Sequence, residues 1–138
     1  MRTRIQTLPD IPVVIATWPA EFDDPVQEIQ EVHYELRQVF VQQGWDNAMI
    51  IHDITLIELD FGTMVMMLSE MKSEDSAYLA ERATVRVVGP DEIAGLSVAA
   101  NRQEQYTGGS RTAAQAESVE AAIAEARTLF GSSVDSPT

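Results

Sequence analysis

The run 48–68, AMIIHDITLIELDFGTMVMML, limits the architecture more than any other part of this chain. It opens on a short, continuous apolar stretch that reaches His52-Asp53 and is read as a strand over 48–54. A strand with no polar face needs cover on both sides, which is the condition of strands in parallel sheets flanked by helices. The run then passes a mixed segment and reaches Gly62-Thr63, which opens a methionine-rich apolar stretch read as a helix over 62–71. In open α/β sheets, ligands and chemistry collect beyond the carboxyl ends of strands. A site is therefore expected just after Asp53, whatever that site does.

The rest of the chain fits the same scheme. RIQT (4–7) is a strand candidate, and PVVIATW (12–18) is a stronger one, opened by Pro12 and stopped by Pro19. Asp24-Pro25-Val26-Gln27 predicts a helix start, with Asp24 as cap, Pro25 in the first turn and Gln27 closing a capping box. Val26, Ile29, Val32, His33, Leu36, Val39 and Phe40 recur at helical spacing, Glu28, Glu31 and Glu35 lie opposite, and Gly44 ends the helix. Further on, 74–81 predicts a helix, TVRVV (84–88) a strand, and Gly89-Pro90-Asp91-Glu92 the start of another helix. A loop over 105–110, a short strand over 111–114 and a helix over 118–130 complete the order β-β-α-β-α-β-α-β-α. This alternation predicts an α/β fold with a central, mostly parallel sheet of four or five strands and helices packed over it. Residues 1–130 are expected to form a single domain, followed by a disordered tail, GSSVDSPT.

Composition removes several classes of function. The chain has 138 residues, no cysteine and a formal charge of −13. Thiolate metal sites, disulfides and a cysteine nucleophile are excluded. A field of that sign repels nucleic acid and anionic lipid. No apolar run approaches a membrane span, and MRTRIQTLPD lacks the apolar core of a signal peptide, so the expected location is the cytoplasm. The lone lysine, Lys72, has no glycine-rich loop before it.

The element order and the segment Asp53-Ile54-Thr55 resemble the STAS domain, named for sulfate transporters and anti-sigma-factor antagonists. STAS domains carry a strand ending D-L-S, then a turn and D-S-S-G at a helix start. The resemblance covers about 4–130. In one register Asp60 takes the aspartate slot and Gly62 the place of the phosphorylatable serine. In the other, Thr63 takes that place and Phe61 the aspartate slot. Neither keeps both features, which counts against a phosphorylation switch. The resemblance implies a small regulatory module that works through a protein partner, such as an anti-sigma factor or a kinase-like protein, without a cofactor and without catalysis.

The partner would meet Asp53, Thr55, Glu58, Asp60, Gly62 and Thr63. Thr63 is either a helix-cap hydroxyl or a phosphoacceptor, since a phosphate there would meet free N–H groups at a helix start. Met64, Met67, Leu68 and Met71 fall on one helical face, with Met66 off it. They are core filler, or an apolar groove for a partner helix or for a small apolar ligand, the last of which would make the chain a carrier or sensor. His52 and Asp53 are adjacent on a strand and point to opposite faces, so they read as a strand-end histidine and a loop-capping aspartate. No nucleophile elbow accompanies them. His33 reads as a satisfied core histidine, and Trp18 and Trp45 as edge packing. Glu28, Glu31 and Glu35 read as a solvated acidic face, and no metal site is expected because the two histidines lack ligand spacing. Tyr106 to Arg111 (YTGGSR) is a glycine loop tip that could also wrap an anion. The oligomeric state is open.

Overall fold

The computed structural model describes residues 3–21, 23–58, 74–90 and 113–131. Among the described residues, five strands form one sheet in the order β1 (Arg4–Thr7), β2 (Val13–Thr17), β3 (Ala48–Asp53), β4 (Ala83–Val88) and β5 (Ala113–Gln115). β1 is antiparallel to β2; every other neighbouring pair is parallel. The fold is therefore α/β with a mixed, mostly parallel five-stranded sheet. Each of these strands lies within a residue or two of its expected position, the largest shift being that of β5.

Strand periodicity separates the core into two layers. Val14, Ala16, Ala48, Ile50, Val85, Val87 and Ala113 face one way, against Ile29, Val32, Leu36 and Phe40 of helix α1 (Pro25–Gln43) and Leu79 of helix α2 (Glu74–Ala80). Val13, Ile15, Met49, Ile51 and Val88 face the other way, against Ala122 and Ala126 of helix α3 (Val119–Ala126). β3 lies in the middle and is buried on both faces, as its unbroken apolar run requires.

α1 starts and stops where its sequence says. Asp24 accepts from the Gln27 N–H at 3.1 Å, Pro25 occupies the first turn, and Gly44 ends the helix at φ 70°, in the left-handed region. The expected capping box does not close: the Gln27 amide turns outward and donates to Glu31, one helical turn on. Glu28 also departs from expectation. It is buried, and its carboxylate accepts from both the N–H and the hydroxyl of Thr3, each at 2.7 Å. The solvated acidic face therefore loses its first member to an attachment between the N-terminal segment and α1.

α2 packs on α1 through the Arg37–Asp75 ion pair at 3.1 Å, and Tyr78 lies beneath the guanidinium groups of both Arg37 and Arg82. On the opposite face of the sheet, buried Arg86 holds Glu125 of α3 with two bonds, Nε to Oε1 at 2.8 Å and Nη2 to Oε2 at 2.6 Å. That guanidinium keeps the Glu125 carboxyl below its usual pKa, with partial burial opposing. The expected single helix over 118–130 is α-helical only to Ala126; Arg127–Gly131 continues as a π-helical turn, with Arg127 paired to Asp10. The helix expected over 62–71 and the 105–110 loop lie outside the described residues, as do the helix expected from Gly89-Pro90 past Pro90 and the tail past Gly131.

Candidate functional site

β3 ends at Asp53, and the chain turns away through Ile54, Thr55, Leu56, Ile57 and Glu58. Both neighbouring strands hold this turn. The Ile54 N–H donates to the Val88 carbonyl at 2.8 Å, at the end of β4. The Trp18 N–H, just past β2, donates to the Asp53 carbonyl at 3.0 Å, and the Glu58 N–H donates to the Ala20 carbonyl at 2.9 Å. The Ile57 N–H closes the turn onto the Ile54 carbonyl at 3.1 Å. Ile54 and Ile57 point into the α1-side core, while Leu56 stands 57% exposed at the tip.

Asp53 caps this turn, as its sequence position suggests. One carboxylate oxygen accepts from the Thr55 N–H at 3.1 Å and from its hydroxyl at 2.6 Å. Asp53 and Thr55 are thus engaged with each other, and Glu58 is exposed at the far end. The other expected partner-binding residues, Asp60, Gly62 and Thr63, lie outside the described residues, as do Met64, Met67, Leu68 and Met71.

His52 points to the face opposite Asp53, toward α1. Its Nδ1 accepts from the indole Nε1–H of Trp18 at 3.1 Å, with the two rings tilted at 45°. Indole nitrogen only donates, so this bond requires the neutral imidazole with its proton on Nε2. Burial holds the His52 pKa down to about 3, with nearby His33 adding to the effect. Burial likewise lowers His33 to about 4, opposed by Asp75. His33 is not the satisfied histidine that was expected: its Nδ1 is buried without a hydrogen-bond partner among the described residues. Trp18 is core rather than edge packing, at 5% exposure. Trp45 is partly buried and packs against the α1-side core, its ring edge-to-face with Phe40. The Trp18–His52 bond was missed because alternation along β3 gives the face of His52 but not the residue that β2 presents there. The two residues' common position, each at the polar end of an apolar strand, was the available signal.

The described part of this site offers a capped turn, one exposed leucine and an acidic rim. Among the described residues, no group of three histidine, aspartate or glutamate side chains could hold a metal ion. Nor is any described helix long and apolar enough to cross a membrane.

The chain is similar to the solved structure of an anti-sigma-factor antagonist (STAS) domain protein from Planctomyces limnophilus. The match has 13% identity and a TM-score of 0.48, and covers 90% of this chain and 97% of that one. No family model matches the sequence, and no curated protein matches it.

Proposed function

We propose that this chain is a non-enzymatic, regulatory protein-interaction module of the cytoplasm, which docks a protein partner on the segment following β3. The observation that carries this reading is the 53–58 turn. Its backbone is tied to the ends of β2 and β4, yet it presents Leu56, 57% exposed, between Asp53 and Glu58. A small apolar tip set in an acidic rim and held in one shape suits a partner that offers an apolar contact ringed by Lys or Arg. Asp60 extends the acidic stretch, and Gly62 and Thr63 stand where the sequence opens a helix. The acidity of Asp53, Glu58 and Asp60 disfavours a phosphate on Thr63, so the docking surface works by charge complementarity rather than by a phosphorylation switch.

The test starts with a partner isolated by crosslinking in native cells and then purified. Its affinity for the full chain is measured by fluorescence anisotropy as salt rises. Binding should weaken with salt, and Asp60→Lys should abolish it while the circular dichroism spectrum stays unchanged. A partner whose affinity ignores both salt and Asp60→Lys would refute this placement. Efficient phosphorylation of Thr63 by a kinase would show that the register with Thr63 in the phosphoacceptor slot is the working one.

A further inference from the structure

The turn after β3 has a second support besides its own capping. Residues 18–20 run alongside it like a strap: the Trp18 N–H is bound to the first residue of the turn, at the Asp53 carbonyl, and the Ala20 carbonyl is bound to the last, at the Glu58 N–H. Pro19 between them has no N–H to contribute. Whatever fixes the strap therefore fixes both ends of the turn at once. Among the described residues, the strap's side-chain hydrogen bond is that of the Trp18 indole, which donates to His52 Nδ1 at 3.1 Å with both residues buried. A hydrogen bond out of reach of water is strengthened, and leaving its donor unmade is costly. The ring centroids lie 5.8 Å apart at a tilt of 45°, so the rings meet through this directed bond and not by flat stacking. Asp53 does not share in the bracing: its side chain lies on the face of the strand opposite His52, and one of its carboxylate oxygens serves Thr55.

We infer that Trp18 and His52 are positioning residues for the docking turn, their side-chain hydrogen bond setting the strap that holds Asp53 and Glu58 in place. The inference rests on the proposed docking role for its meaning, but its test involves no partner, so the two can fail separately. If the pair were merely core filling, phenylalanine would replace Trp18, and leucine would replace His52, without consequence for the turn.

The experiment is amide hydrogen exchange by NMR on the full chain, comparing wild type with Trp18→Phe, His52→Leu and His52→Asn. Phenylalanine keeps an aromatic ring and removes the donor. Leucine keeps bulk and removes the acceptor, whereas asparagine returns an oxygen acceptor near the place of Nδ1. Exchange of the Trp18 and Glu58 amides should quicken roughly tenfold or more beyond any increase shown by the α1 amides in Trp18→Phe and His52→Leu. His52→Asn should bring the Glu58 amide back toward its wild-type rate and restore protection of the Trp18 indole N–H. Unchanged Glu58 exchange in the Phe and Leu variants would overturn the inference. So would an Asn variant that behaves no better than Leu.

Discussion

Gly89 follows β4 where the chain passes close over the turn, and Gly89→Ala tests how tightly the two are pressed together. A Cβ built on Gly89 would lie 2.7 Å from Cγ1 of Ile54, and 3.4 Å from both its carbonyl carbon and its Cδ1. The first contact is well inside any ordinary carbon–carbon approach. Cγ1 is near the root of the side chain, and Ile54 is 4% exposed, so it has little room to swing aside. Its main chain is also pinned, by the 2.8 Å bond from the Ile54 N–H to the Val88 carbonyl. Forcing a methyl group into a packed core costs about 1–3 kcal/mol. Alanine stiffens the unfolded chain and returns about 0.4–1 kcal/mol. The expected net loss is about 0.5–2 kcal/mol, or a fall in Tm of roughly 2–6 °C for a domain of this size. Urea melts with an unchanged slope would measure it. The mechanism is checked by a double-mutant cycle with Ile54→Ala, which removes the colliding atom. In that background the added methyl should cost little or nothing, giving a favourable coupling of about 1 kcal/mol or more. A Gly89→Ala protein as stable as wild type, or a strictly additive cycle, would refute the reasoning.

Leu36 is fully buried between α1 and the sheet, so Leu36→Ala should cost about 2–5 kcal/mol in a denaturant melt; a loss under about half a kcal/mol would mean the helix packs elsewhere. Acid should weaken the fold before most carboxylates titrate. Burial holds His33 and His52 near about 4 and about 3 in the folded chain, against 6.5 when exposed, so the unfolded state binds more protons below pH 6.5. Their stabilising contribution is complete above pH 6.5 and is lost as pH falls through the folded values. The slope approaches about 1.4 kcal/mol per pH unit for each histidine. Melts at pH 7.5, 6.5 and 5.5 should show it, His33→Leu should roughly halve the slope, and a flat profile over that range would contradict the burial of the two imidazoles.

The parts of the fold legible in the sequence are those governed by local rules. Asp24, Pro25 and Gly44 mark the ends of α1 through capping and backbone geometry, which act within a few residues. The apolar run before His52 gave a strand covered on both faces because burial leaves its pattern along the strand itself. The burial of Glu28 is not legible in its helix, because a helical wheel contains only the helix. The Thr3 groups that bury its carboxylate come from a distant segment, and no spacing encodes them. The helical spacing places His33 in the core, but whether Nδ1 finds a partner among the described residues depends on what faces it, and periodicity says nothing of that. At the site, Asp53 was legible as a cap because its bonds run two residues ahead. The strap from Trp18 to Ala20 was not, since it joins segments more than thirty residues apart, as the separation of 34 between Trp18 and His52 illustrates.

The place of β3 in the sheet has a consequence for how the chain is made. Both of its edges are paired, one to β2, which precedes it, and the other to β4, which the ribosome delivers only after the whole intervening stretch. Until then Met49, Ile50 and Ile51 offer an open, apolar strand edge beside a half-built core, the arrangement most prone to pairing with a neighbouring chain. At synthesis rates of about 5–20 residues per second, that exposure lasts on the order of seconds. The nascent protein's most vulnerable moment thus falls between its third strand and its fourth, which is where chaperone engagement and translational pausing would have most influence on its yield.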